Sequence, residues 1–413
     1  MRQRIAILAL LLAAAMAGLV AAHVRWIVCG TKTPGLVRFM RRHDRRPAVE
    51  GLLPGHGVAV DSGGETLDVA EPGSTLQTVL DDLALERGGG PVELTIDAGL
   101  QRRAAELMEG RTGAVVAVEP ATGRIRALVS SPRAAYLNRA VSGLYPPGST
   151  FKVFMGAAAL SAGYDPAFYC PAAGWSPSRG TAPIRDVEAV DAARRGRVWR
   201  GFGRIGMEQA LVHSSNTYFA QLGTGLGPER FSRAVAAARL RDGATLLASK
   251  SSTALESAGG GVPDGLGPAA LAPVAIGQGA LQLTPLGVAL VTAAVANDGV
   301  MLAPTLDARA APALRARPFT FEAAGRMKRM MRAAVKSGTG RACDVRGLDV
   351  CGKTGTAQTG RGRDHSWFTC FAPERAPRIV VTVVVERGGF GADAALPVAR
   401  ELLAYAFDRS GGF

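Results

Sequence analysis

Three clusters of side chains carry groups with usable chemistry. Pro146-Pro147-Gly148-Ser149-Thr150-Phe151-Lys152 ends a loop on two prolines and a glycine and opens the helix-forming run STFKVFMGAAALSAG. Ser149 therefore falls near a helix N-terminus, where free N–H groups and the helix dipole favour developing negative charge. Lys152 lies one turn further on, within reach of the Ser149 hydroxyl. A serine alkoxide is inaccessible near neutral pH without an adjacent base, and a lysine desolvated among apolar neighbours supplies one. By itself S-x-x-K is a weak signal, also written by a helix-capping serine and a surface lysine.

The second cluster, His213-Ser214-Ser215-Asn216-Thr217, interrupts the helical run MEQALVHSSNTYFAQL. Ser and Asn side chains compete with a helix backbone for hydrogen bonds, so their place here needs a reason. One reason is a cleft: Ser214 relays a proton and the Asn216 amide holds a substrate carbonyl and the lysine. The other is a helix N-cap at Ser215 or Asn216.

The third is Gly352-Lys353-Thr354-Gly355-Thr356-Ala357 within a strand expected over 349–357. Glycines weaken a strand and mark close approach by another group. Gly352 and Gly355 are expected to let a peptide-like ligand lie along an exposed edge. Lys353 then offers a cation to a carboxylate, and Thr354 and Thr356 offer hydroxyls. A turn with a surface lysine is the plainer alternative.

Stepping outward, the elements that must position these groups are legible. Residues 92–95 read as a short strand, and Asp97 as the cap of a helix over 99–108. Two apolar runs, 113–118 and 124–129, are joined by the turn Pro120-Ala121-Thr122-Gly123. Mostly helical pattern fills about 145–340, strand character returns at 349–357, 366–371 and 378–386, and an amphipathic helix covers 393–408. Two strands, a helical insertion, three strands and a closing helix imply one sheet with helices on its faces, an α/β mixed (α+β) fold. The site is expected where the insertion meets the sheet edge.

The order S-x-x-K, S-x-N, K-T-G is that of penicillin-binding proteins and serine β-lactamases. With LTIDAGLQ at 94–101, GAVVAVEPATGRIRALVS at 113–130, IGQGALQLTPL at 276–286, SGTGRA at 337–342 and HSWFTCFAP at 365–373, residues 92–408 resemble the penicillin-binding transpeptidase domain. The resemblance is to the monofunctional, class B-like enzymes. It implies a central antiparallel five-stranded sheet flanked by helices, and D,D-transpeptidation of peptidoglycan stem peptides ending in D-Ala-D-Ala. In that scheme Ser149 is the nucleophile and Lys152 its base, and Ser214 and Asn216 relay protons and position substrate. Lys353, Thr354, Gly355 and Thr356 bind substrate, and the N–H groups of Ser149 and Thr356 form an oxyanion hole. β-Lactam antibiotics acylate the same serine. No cofactor or metal is implied.

A D,D-carboxypeptidase, a serine β-lactamase and a β-lactam receptor share the nucleophile. No motif supplies the deacylating glutamate of class A β-lactamases, and Ser-Ser-Asn stands where class D enzymes usually have Ser-x-Val. A receptor needs a multi-span signalling region, whereas one apolar segment is visible.

The chain has 413 residues, 47% apolar and 20% charged, enough for a large domain with its own core. Its formal charge of +14 comes from basic residues spread along the chain without a nucleic-acid motif, so attraction to an anionic membrane or cell envelope, or simple Arg-rich composition, is the reading, and no nucleic acid is expected as partner. Residues 5–22 carry no charge and follow Arg2 and Arg4. Residues 1–28 are read as a membrane anchor or signal segment, 29–91 as a linker or reduced pedestal holding a helix over 75–86, and 92–413 as the catalytic domain.

Arg25, Lys32, Arg38, Arg41, Arg42, Arg45 and Arg46 follow the apolar segment and by themselves place the domain in the cytoplasm. The substrate of the resembled family lies outside the membrane. The expectation is therefore a single-pass inner-membrane protein with its catalytic domain periplasmic or extracellular, working beside a glycosyltransferase. Of the five cysteines, Cys343 and Cys351 are candidates for a bridge, and unpaired core thiols are the alternative.

Overall fold

The longest apolar runs form the centre of the molecule. The structure is a computed structural model and describes residues 58–68, 74–133, 138–251, 253–360 and 362–408. The expected anchor at 1–28, with its apolar segment, lies outside the described residues, none of whose helices is long and apolar enough to cross a membrane.

The first strand β1 (Ala59–Val60) pairs in parallel with β2 (Val92–Glu93), and between them runs α1 (Thr75–Glu86), capped by the Ser74 side chain on Gln77 N–H. An Arg87–Asp307 ion pair of 2.6 Å and hydrogen bonds from Ser249 and Ser251 to Asp82 tie this stretch to the body of the fold. Helix α2 (Ala98–Leu107) starts at Asp97, whose carboxylate accepts from Leu100 N–H.

Strands β3 (Gly113–Val118) and β4 (Ile125–Ser131) form the hairpin the sequence predicts. Helix α3 (Arg139–Ser142) leads to a 3₁₀ turn over Gly148–Thr150 and then α4 (Phe151–Ser161). The insertion continues with β5 (Phe168–Cys170), α5 (Val187–Arg194), β6 (Gly203–Ile205), α6 (Met207–His213), α7 (Asn216–Leu226) and α8 (Pro228–Ala237). Small pairs β7 (Thr245–Ala248) with β8 (Ala254–Glu256), and β9 (Met301–Leu302) with β10 (Leu314–Ala316), flank α9 (Pro268–Ala275) and α10 (Pro285–Ala296). The chain closes with α11 (Phe321–Ser337), β11 (Cys351–Ala357), β12 (His365–Ala372), β13 (Ile379–Val385) and α12 (Ala395–Asp408).

The main sheet has the order β11-β12-β13-β3-β4 with every neighbour antiparallel. Its strands from the two ends of the sequence meet at the β13–β3 pair. Alternation splits their side chains between two cores. Ala114, Val116, Val118, Trp367, Val380 and Val384 join the helical insertion on one face, whereas Val115, Ala117, Phe368, Val381 and Val383 join α2 and α12 on the other. Burial on both faces explains why β3 and β13 read as continuous apolar runs. Strand β11 is left at the edge, beside α11 and the 3₁₀ turn that carries Ser149.

Cys170, Cys343, Cys351 and Cys370 are buried free thiols. The β11–β12 register sets Cys370 opposite Gly352, the neighbour of Cys351, so unpaired thiols and not a Cys343–Cys351 bridge line this part of the core.

Candidate active site

The predicted residues arrive from the serine turn, α4, the α6–α7 junction and β11. Ser149 sits in the middle of the 3₁₀ turn that runs into α4, partly accessible, with Thr150 Oγ1 donating to Pro147 O at 2.6 Å to tighten the turn. Gly148 has φ of +54°, and a Cβ there would stand 2.5 Å from Thr356 O. Gly277, from the loop before α10, has φ of +77° and would bring a Cβ to 1.9 Å from Gly148 O. The serine turn is thus clamped between β11 and the 276–280 loop by backbones too close for side chains. Gly148 N–H donates to Gly277 O at 2.9 Å, and Gln278 Nε2 donates to Thr356 O at 3.2 Å.

Lys152 points from α4 into the cleft and is fully buried. Its Nζ donates to Ser214 O at 2.6 Å and to Asn216 Oδ1 at 2.8 Å, with Ser214 Oγ at 3.4 Å. Burial pulls its pKa down to about 7, against the opposing charges of Asp186 and Glu188. Among the described residues the Ser149 hydroxyl enters no hydrogen bond, so the amine is held by the Ser-Ser-Asn segment and not by the nucleophile.

The segment both caps a helix and brings Ser214 and Asn216 to the lysines. Helix α6 stops at Ser214, which adopts the left-handed conformation at φ 59°, ψ 36°, where a non-glycine residue is uncommon. Ser215 then caps α7 by accepting from Tyr218 N–H at 3.2 Å. The break aims Ser214 Oγ into the cleft, where it accepts from Lys353 Nζ at 2.8 Å. A single hydroxyl therefore lies between two buried lysine amines brought by α4 and β11.

Lys353 is fully buried and also donates to Thr354 O at 3.0 Å. Desolvation first, and then the charge of Lys152, push its pKa well below the usual lysine value. Thr354 turns away from Lys353, its hydroxyl 2.7 Å from Thr339 Oγ1 of the SGTGRA segment. Thr356 remains partly accessible and accepts from Gly391 N–H at 3.3 Å.

The two strand glycines differ from expectation. A Cβ on Gly352 would meet the Phe368 ring at 2.7 Å, and one on Gly355 would meet Thr150 Cγ2 at 2.8 Å and Trp367 Cβ at 2.9 Å. They admit the protein's own neighbours, and Gly355 in particular admits the turn that carries Ser149.

Sequence reasoning missed Asp186, a buried carboxylate beside the Ser-Ser-Asn segment, and Glu188, whose partial burial raises its pKa near Lys152. In an Arg-rich, Gly/Pro-rich loop nothing local distinguishes them from solvated charges. Among the described residues no cluster of His, Cys, Asp and Glu is arranged to hold a metal.

The chemistry open to this arrangement is attack by a hydroxyl at a helix N-terminus, with a neutral amine available near pH 7 and a second lysine to receive an anion. Residues 113–404 match the penicillin binding protein transpeptidase domain. The chain is 30% identical to the peptidoglycan D,D-transpeptidase PbpA of Mycolicibacterium smegmatis over 77% of its own length and 72% of that protein. It is 28% identical to MrdA of Haemophilus influenzae, covering 83% of itself and 60% of the relative. A structure of penicillin-binding protein A from M. tuberculosis as a ceftriaxone acyl-enzyme superposes with a TM-score of 0.72, at 26% identity over 85% of this chain and 98% of that one.

Proposed function

The chain belongs to the penicillin-binding protein transpeptidase family, and from that premise we propose that it is a peptidoglycan D,D-transpeptidase whose nucleophile is Ser149. The observation that carries the assignment is Ser214 Oγ set 2.8 Å from Lys353 Nζ and 3.4 Å from Lys152 Nζ, with Lys152 fully buried.

Neutral Lys152 takes the Ser149 proton as Oγ attacks the penultimate D-Ala carbonyl of a donor stem peptide. The N–H groups of Ser149 and Thr356 receive the oxyanion. The close approach of Gly148 to Thr356 O supports that pairing, since it brings the two backbones together. The C–N bond then breaks, the proton reaches the leaving amine through Ser214, and terminal D-Ala departs. Ser149 is left as an ester. An amine of a second stem peptide attacks the ester, gives up its proton to the same relay and regenerates the free serine. Asn216 orients Lys152 and the donor peptide, while Lys353 and Thr356 receive the donor carboxylate, Thr354 bracing the strand through Thr339. A β-lactam enters the same cycle by opening its ring onto Ser149.

The substrate lies outside the cytoplasmic membrane. We place the catalytic domain on that side, tethered by residues 1–28 and supplied with nascent strands by a glycosyltransferase.

Covalent labelling with a fluorescent penicillin tests the assignment. The unmodified chain is labelled at Ser149, Ser149→Ala is not, and lipid-linked precursor polymerised by a glycosyltransferase yields cross-linked dimers. Labelling of the alanine variant at another residue would overturn the assignment, as would trimmed monomers as the sole product for the transpeptidase reading.

A further inference from the structure

We propose that Asp186 is a positioning residue, its buried carboxylate holding the Ser214-Ser215-Asn216 turn in the geometry that presents Ser214 Oγ to both lysines. The inference rests on the function proposed above and adds to it a residue outside the three motifs.

Asp186 is the N-cap of α5, yet its side chain makes no capping bond to that helix. None of the side chains of α5 is buried, so packing of α5 does not account for an aspartate that is 1% exposed. The carboxylate instead crosses to the beginning of α7. Oδ1 accepts from Asn216 N–H at 2.5 Å, Thr217 N–H at 3.0 Å and Ser215 Oγ at 3.0 Å, and Oδ2 accepts from Thr217 Oγ1 at 2.5 Å.

Two of these donors are backbone N–H groups that α7 cannot satisfy within itself. A negative group at this helix end is favoured by the dipole. Asp186 thereby serves as a cap supplied in trans, and the residue just before the capped turn is Ser214 in its left-handed conformation. A non-glycine residue persists there only when its surroundings over-determine it. The adjoining Arg185 O accepts from Asn216 Nδ2 at 3.0 Å, fixing the amide that holds Lys152.

The carboxylate also acts at a distance. Lys152 is faced by Lys353 from β11 and by Asp186 and Glu188 from the start of α5, with His213 at the end of α6 acting on Glu188. Cys170 of β5 is 3.9 Å from Ser215 Oγ and feels the Asp186 charge. The Asp186 charge favours the ammonium form of Lys152, so removing it lowers the pH at which the base is free.

The test uses acylation of the full chain by a fluorescent penicillin, read as the saturating rate against pH. Asp186→Asn keeps the four contacts by reversing the Thr217 hydroxyl but removes the charge. Its acid limb moves to lower pH, and its plateau falls by less than about tenfold. Asp186→Ala leaves the α7 donors without a partner and loses about 10²-fold of the plateau, the loss that misplacing reacting groups by about 1 Å produces. Asp191→Asn, at an exposed α5 aspartate paired with Arg195, changes neither. Should the alanine variant not fold, Asp186→Asn decides by its midpoint. An unmoved midpoint in Asp186→Asn, or an unchanged plateau in a folded Asp186→Ala, overturns the inference. A wild-type chain that is never acylated at Ser149 defeats the proposed function itself, which is a separate outcome.

Discussion

Replacing Lys152 by arginine keeps a cation of similar length in the cleft and removes the base. The magnitude follows from burial. Lys152 has its pKa lowered to about 7, so its neutral fraction is about one half at pH 7, against about 4 in 10⁴ for an ordinary lysine with a pKa of about 10.4. Desolvation therefore enlarges the population of usable base by about 10³-fold, equivalent to about 5 kcal/mol of differential interaction between the two protonation states.

The sign is set by the cause. Burial disfavours the cation, the amine loses its proton as pH rises through about 7, and acylation rises with it. The saturating acylation rate should increase about tenfold between pH values of about 6 and 8 and then level off. Lys152→Arg stays protonated throughout, so its rate is lower by about 10²–10⁴-fold, the usual worth of a general base, and shows no such limb. Stopped-flow fluorescence with a penicillin at saturation measures both curves. A flat wild-type profile, or an arginine variant that retains the wild-type midpoint, would refute the reasoning, because the proton would then leave Ser149 by another route.

Gly355→Ala should lower acylation at least tenfold while keeping the fold, since its Cβ would press on Thr150 and Trp367 and displace the serine turn; overpacking of this kind costs about 1–3 kcal/mol, and thermal unfolding beside labelling rates checks both parts. Lys353→Ala should weaken non-covalent capture of a carboxylate-bearing β-lactam far more than it lowers the saturating rate, with Lys152→Ala showing the opposite split; equal maximal rates for the two variants would reverse the assignment of roles. Because the free Lys353 amine is depressed and a bound carboxylate restores its charge, capture takes up a proton and affinity falls as pH rises, which equilibrium titration of a slowly reacting ligand measures. A phosphatase fused after Phe413 should be active in cells if the domain faces outward; an inactive fusion paired with a fluorescent cytoplasmic reporter at the same junction would reverse the topology.

Much of the frame was legible because it is written locally. Strands β3, β12 and β13 and helices α2, α4 and α12 fall within a few residues of their sequence readings. The central strands β3 and β13 read as apolar runs because both faces are buried, and α2 begins at an aspartate that caps it. The three motifs are likewise short, and their residues do converge. The sequence alone therefore determined the main strands and the helices that cover them, their order, and which motif segments meet at the cleft.

Only the tertiary structure decided how those side chains behave. Ser214 meets Lys152 across 62 residues and Lys353 across 139, and its left-handed turn is held by Asp186, which lies in an otherwise exposed loop with no periodicity to mark it. Gly355 announced a close approach but not which group approaches. The depressed pKa of Lys152 comes from removing water on every side, a condition created by chain segments far apart in sequence. Propensity, capping and periodicity act over a turn or two of backbone, whereas desolvation and charge act through space and exist only once the fold has brought distant residues together.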